Sequence, residues 1–257
     1  MISTVRSADD NEFDDEKRSK IIMTRDLFIK EMISARVDMT PVGRIADELS
    51  PEEFAPLAEQ FFTDILEISR ADVSKTEGYG EFNEENKLED EIFQKFLENE
   101  FSPEQEGYWK NWTQMFDTTM LSKGFFDKYY AKMMQYVPFC EGKRFLVNNN
   151  TFFCNMIVKD DGTVGFPDWS RSGVCDFLLD FAIMDLNKPY LLIPEKLYSY
   201  FKKNGIEVEN FHERFLCMAY YKGLATLMWH ASIDDEESCL SIMKSISELE
   251  ERIQAIG

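Results

Sequence analysis

A chain of 257 residues, 44% of them hydrophobic and 14% aromatic, carries enough apolar surface to bury a sizeable core, which excludes wholesale disorder. Its 48 acidic residues against 28 basic ones leave a formal charge of -20. That charge repels phosphate backbones, excludes a basic face for nucleic acid, and suits a cationic small molecule or a basic protein surface as partner.

Residues 1–20 are polar, carry Asp9, Asp10, Glu12, Asp14, Asp15 and Glu16, and show no apolar period. They predict an acidic flexible leader, not a secretion signal. Ile21 to Val37 reads as short strands, or as a strand followed by a helix. Ser50-Pro51-Glu52-Glu53 then supplies a capping hydroxyl, a proline at the first helical position and a glutamate able to reach back to the cap amide. The helix it opens places Phe54, Leu57, Phe61 and Ile65 on one face and should run to about Ser69. Lys75 to Phe82, with Gly78 and Gly80, predicts a loop ahead of a charged helical stretch around Leu88 to Asn99. A second start, Ser102-Pro103-Glu104-Gln105, predicts a helix carrying Tyr108, Trp109, Trp112 and Phe116. A further helix is expected over roughly Lys123 to Tyr136.

The pattern then changes period. Arg144 to Val147, Asn155 to Lys159 and Thr163 to Pro167 are short β-type runs, the last two separated by the hairpin-turn signal Asp160-Asp161-Gly162. Helical periodicity returns near Asp176 to Leu186, Pro194 to Asn204, Glu209 to Ala231 and Asp235 to Ile256. The expected fold class is α+β, mostly helical, with a small β-hairpin region in the middle.

Cys140, Cys154, Cys175, Cys217 and Cys239 are odd in number and widely spaced. Free, mostly buried thiols in a reducing, cytoplasmic compartment follow, not a disulfide framework or a zinc site. The most apolar run, Phe177 to Leu186, is interrupted by Asp180 and Asp185 and is far shorter than the roughly 20 residues of a membrane span. His212 and His230 read as core or surface residues, not metal ligands.

The segment Leu146-Val147-Asn148-Asn149-Asn150-Thr151-Phe152-Phe153-Cys154-Asn155 resembles the catalytic loop of the aminoglycoside phosphotransferase and choline kinase superfamily. That loop has a hydrophobic pair, His-Gly-Asp, four residues and Asn. Phe166-Pro167-Asp168-Trp169 resembles the family's Ile-Asp-Trp, and Gly173-Val174-Cys175-Asp176 followed by Asp180 resembles the acidic positions after it. The Ala71 to Gly80 segment and the Trp109/Trp112 region are similar to the hygromycin B phosphotransferases in particular, so the resemblance spans about Val37 to Gly257.

The resemblance implies a protein-kinase-like C-terminal lobe over residues 46–257, with 21–45 as a remnant of hinge strands and the N-terminal lobe largely absent. It further implies Asn155 and Asp168 as magnesium ligands, and Asp176 and Asp180 as structural anchors. The proton-acceptor position falls on Asn150, whose amide takes no proton near neutral pH, and the usual histidine is replaced by Asn148. Losing a general base costs about 10²- to 10⁴-fold in rate. The expectation is therefore a catalytically impaired, pseudokinase-like protein that holds magnesium and ATP weakly or not at all and acts by binding a cationic small molecule or a protein, with a homodimer conceivable. Its rivals are an active ATP- and magnesium-dependent phosphotransferase and an acidic protein that docks on a basic partner.

Overall fold

The computed structural model describes residues 39–159 and 164–256. The leader, the strands expected over Ile21 to Val37, and the Asp160-Asp161-Gly162 turn lie outside these. In chain order the elements are β1 (Met39–Pro41), α1 (Val42–Ala46), α2 (Pro51–Ser69), β2 (Gly80–Glu81), α3 (Phe93–Glu100), α4 (Met115–Thr118), α5 (Lys123–Cys140), β3 (Phe145–Val147), β4 (Ile157–Lys159), β5 (Val164–Gly165), β6 (Gly173–Cys175), α6 (Leu178–Asn187), α7 (Ile193–Asn204), α8 (Phe211–Ser232) and α9 (Glu236–Gln254). The described chain is mostly helical, with two small antiparallel sheets ordered β1-β4-β5 and β2-β6-β3.

Helix α2 starts where its capping signal stands. The Ser50 hydroxyl accepts from the Glu53 amide at 3.3 Å, and Glu53 Oε2 accepts from the Ser50 amide at 2.9 Å. This satisfies two of the orphan donors of the first turn. Its buried face, Phe54, Ala58, Phe61, Phe62 and Ile65, packs edge-to-face on Phe153, Phe166 and Phe181, which ties the first helix to the segment around the loop.

Helix α8 is the spine of the molecule. From Arg214 to Leu224 every residue is buried, as expected for a helix with neighbours on all sides. It packs against α5, α6 and α9. At Gly223 a β-carbon would come within 2.6 Å of the end of the Ile246 side chain on α9, so a larger residue there requires Ile246 to shift.

The helix expected from Ser102 does not form as one piece. Ser102 Oγ accepts from Glu104 two residues on, which closes a turn instead of capping a helix. Gly107 (φ 63°) and Asn111 (φ 63°) then turn left-handed. The segment becomes two 3₁₀ turns, Gly107–Trp109 and Trp112–Gln114, followed by the short α4. Trp112 packs on Phe116 and Phe126, while Tyr108 stays 65% exposed.

The β region is also more than a hairpin. The run over Gly173 to Cys175 is a strand, β6, placed between β2 and β3 with Val147 opposite Gly173 and Cys175 opposite Phe145. Among the described residues no helix is long and apolar enough to cross a membrane, and all five cysteines are free, four of them buried and Cys154 exposed.

Candidate functional site

The sheet β2-β6-β3 delivers Asn148, Asn149 and Asn150 to the end of β3, where the chain turns sharply. Asn149 adopts φ 57°, a left-handed conformation that asparagine tolerates better than most residues. The turn is held from beneath by Asp180 on α6. Its carboxylate accepts from the amides of Asn148 at 2.9 Å and Asn149 at 2.7 Å, and its carbonyl accepts from the Thr151 hydroxyl at 2.6 Å. Complete burial raises the Asp180 carboxyl to about 6 against the pull of those two donors.

Asp176 anchors a separate point. Its carboxylate accepts from Arg214 Nε at 2.7 Å and Nη2 at 2.9 Å, both side chains being essentially inaccessible, and its Oδ1 also takes the Leu178 amide at the start of α6. This fixes the angle at which α6 leaves β6.

The structure brings Asn148, Asn150, Asn155 and Asp168 together. Asn148 Nδ2 donates to the Asp168 carbonyl at 2.8 Å, and Asn148 Oδ1 accepts from the Asn150 amide at 3.1 Å. The Asn150 side chain lies between Asn155 and Asp168. Its Nδ2 donates to Asp168 Oδ2 at 2.8 Å, and its Oδ1 accepts from Asn155 Nδ2 at 2.9 Å. A carboxylate can only accept, so contact with Asp168 fixes which way round the Asn150 amide stands. The other Asp168 oxygen accepts from the Ser170 amide at 2.9 Å, and that bond, with Asn150 adding to it, holds the carboxyl below its usual range. Both oxygens of Asp168 are thus engaged within the chain. Among the described residues no cluster of three or more His, Cys, Asp or Glu side chains is placed to hold a metal.

Beside this loop opens a cavity of about 830 Å³. Its acidic lining comes from Glu81, Glu89, Asp90 and Glu100, its aromatic wall includes Phe96, Tyr108 and Trp229, and Asn150, Arg171 and Lys222 stand on the loop side. Glu81 on β2 is the hub. It accepts from Arg171 Nε at 2.9 Å and from Asn149 Nδ2 at 2.9 Å. Glu100, at the end of α3, accepts from the Tyr221 hydroxyl at 3.2 Å, and burial followed by the nearby Glu81 charge pushes its carboxyl up. At the mouth, Tyr108 and Trp229 face each other with ring centres 5.9 Å apart.

Sequence reasoning did not single out Glu81, Glu100, Arg171 or Lys222. Lys222 alone left a signal, as a lysine inside the apolar run from Phe215 to Leu227. It is 3% exposed, and its ammonium donates to Asn149 Oδ1 at 2.7 Å and Asn149 O at 3.0 Å. Burial, and then the Arg171 charge, lower its pKa to about 7. The unfolded chain therefore binds more protons than the native one between the folded value and about 10.4, so this residue's contribution to stability rises with pH across that window. The wild type is expected to gain stability relative to Lys222→Met between pH 7 and 9, by up to about 1.4 kcal/mol per pH unit, in denaturant melts. Parallel pH profiles for the two proteins would contradict it.

No protein-family model matches the sequence, and no curated protein matches it. Solved structures do match in fold. A thermostable mutant of aminoglycoside phosphotransferase APH(4)-Ia in ternary complex with AMP-PNP and hygromycin B superposes at TM-score 0.62 and 18% identity, over 80% of this chain and 68% of that one. The ADP and hygromycin B complex of such a mutant gives 0.61 at 19% identity, and APH(4)-Ia itself 0.60 at 15%, with the same coverage of each chain. With the loop and the two sheets as described, this chain has the kinase-like fold of the aminoglycoside phosphotransferases.

Proposed function

We propose that this protein uses a phosphotransferase fold to bind a cationic small molecule in the cavity beside the Asn148–Asn150 loop, without transferring phosphate to it. The observation that carries the reading is the Asn150 amide, which spans Asn155 and Asp168. In phosphoryl transfer an acceptor group takes the substrate's proton, while an Asn and an Asp hold the metal that bridges the phosphates. Here the acceptor position is neutral and its side chain occupies the space between the two metal-ligand positions. Asp168 and Asn155 are the two side chains that would hold a magnesium ion, and each is engaged by the Asn150 amide, which a metal would have to displace.

A cation answers what the cavity lacks. Glu100 has one oxygen bonded to Tyr221 and is largely desolvated, and Glu89 and Asp90 add negative charge near the opening. An ammonium group placed against Glu100 would form a charge-assisted bond in a low-dielectric setting. Hygromycin B, the amine-bearing ligand of the similar solved structures, and spermidine are the natural probes. Calorimetric titration should show binding of at least one of them, weakened about tenfold or more in Glu100→Gln, since hydrogen bonds to charged groups contribute about 1.5–3 kcal/mol. Absence of binding by either probe, or equal affinity in the variant, would count against the reading.

The rival, an ATP- and magnesium-dependent phosphotransferase, is favoured by the retained Asn155 and Asp168 and by loose transition states that ask little of a base. It requires the Asn150 side chain to leave both partners when nucleotide binds.

A further inference from the structure

Lys222 is an anomaly that cation binding does not use. A lysine this deeply buried normally faces a carboxylate, because an unpaired buried charge is costly. Among the described residues Lys222 forms no ion pair: its two hydrogen-bond acceptors there are the neutral oxygens of Asn149. The charged groups around it act from further off. They are Glu81 on β2, Asp180 on α6 and Glu100 on α3, opposed by the Arg171 guanidinium ahead of β6. Yet it lines the 830 Å³ cavity.

We infer that Lys222 is a nucleophilic amine that captures an aldehyde or ketone entering this cavity as an imine. Geometry supports this first. A neutral amine gives its two hydrogens to Asn149 O and Oδ1, and tetrahedral nitrogen then turns its lone pair away from the loop. Desolvation and a neighbouring cation are the two devices by which proteins make lysine nucleophilic, and burial with Arg171 supplies both. In the reaction the Nζ lone pair attacks the carbonyl carbon, and the carbonyl oxygen takes up the proton that nitrogen sheds, giving a carbinolamine. Loss of water leaves the C=N bond. Protonation of that imine from solvent creates a cation that the carboxylates of Glu81 and Glu100 stabilise.

The test uses the intact protein with acetaldehyde and cyanoborohydride near pH 7, followed by peptide mapping. Hydride addition to the imine fixes it as an N-ethyl group. A lysine with its pKa near 7 has about 10³-fold more neutral amine at that pH than an ordinary one, which leaves room for restricted access. The expected result is ethylation of Lys222 at least about tenfold faster than the average of the other lysines. Lys222→Gln, whose neutral amide keeps a donor for Asn149 without burying a permanent charge, should retain the melting transition and lose the adduct. Ethylation of exposed lysines with Lys222 no faster than they are would overturn the inference. That outcome leaves the titrations with spermidine and hygromycin B unaffected.

Discussion

Replacing Arg214 by methionine is expected to lower the stability of the fold by about 3–5 kcal/mol, because removing one partner of a buried ion pair leaves the other charge uncompensated. Asp176 would keep the Leu178 amide but lose both guanidinium bonds, and its carboxylate is wholly inaccessible to water. For a chain of this size each kcal/mol moves the melting temperature by roughly 2–4 °C, so a fall on the order of 10 °C should appear in thermal denaturation. The double change Asp176→Leu with Arg214→Met should recover a large part of it, since an apolar pair removes the stranded charge. A loss below about 1 kcal/mol for the single variant would show that the pair does not brace α6 against α8.

The second large effect concerns the loop itself. Asp180→Ala removes the acceptor for two buried amides, those of Asn148 and Asn149. Each buried donor left without a partner costs about 1–3 kcal/mol, and relief of the carboxylate's own desolvation returns part of that, so a net loss of about 3 kcal/mol is expected near pH 8. The functional consequence is sharper than the thermodynamic one. The turn that Asp180 holds also sets Asn149 against Glu81 and Lys222 on the cavity wall, so cation binding should fall when it loosens, and amide exchange at Asn148 and Asn149 should lose its protection. Retained protection at both amides would contradict this role.

Much of the architecture could be read from residues alone because its signals are local. The Ser50 capping box, the Ser122 cap of α5 and the Asp235 cap of α9 each act within one turn, and each helix begins where its cap stands. The order of Asn150, Asn155, Asp168, Asp176 and Asp180 likewise survives in the sequence. What escaped is set by distant partners. Strand β6 is three residues long and exists because β2 and β3 flank it; alone, Gly173-Val174-Cys175 carries no alternation. At Gly173 a β-carbon would meet the Gly80 carbonyl at 1.9 Å, so the pairing of β2 with β6 rests on a residue that reads as a loop. The segment after Ser102 carries a helix-start pattern overridden by left-handed turns at Gly107 and Asn111. The cavity draws Glu81, Glu100, Arg171 and Lys222 from four separate stretches, so no window of sequence shows them side by side.

On the proposed reading the bridge made by Asn150 separates binding from transfer, and phosphate transfer from labelled Mg-ATP to hygromycin B tests that reading most directly. The wild type should give no labelled hygromycin B above the enzyme-free rate, under conditions where calorimetry shows the cavity occupied. Turnover at about 1 s⁻¹ or faster, within the usual range of enzymes, would contradict it and would mean that the Asn150 side chain swings clear of Asn155 and Asp168 to admit the metal.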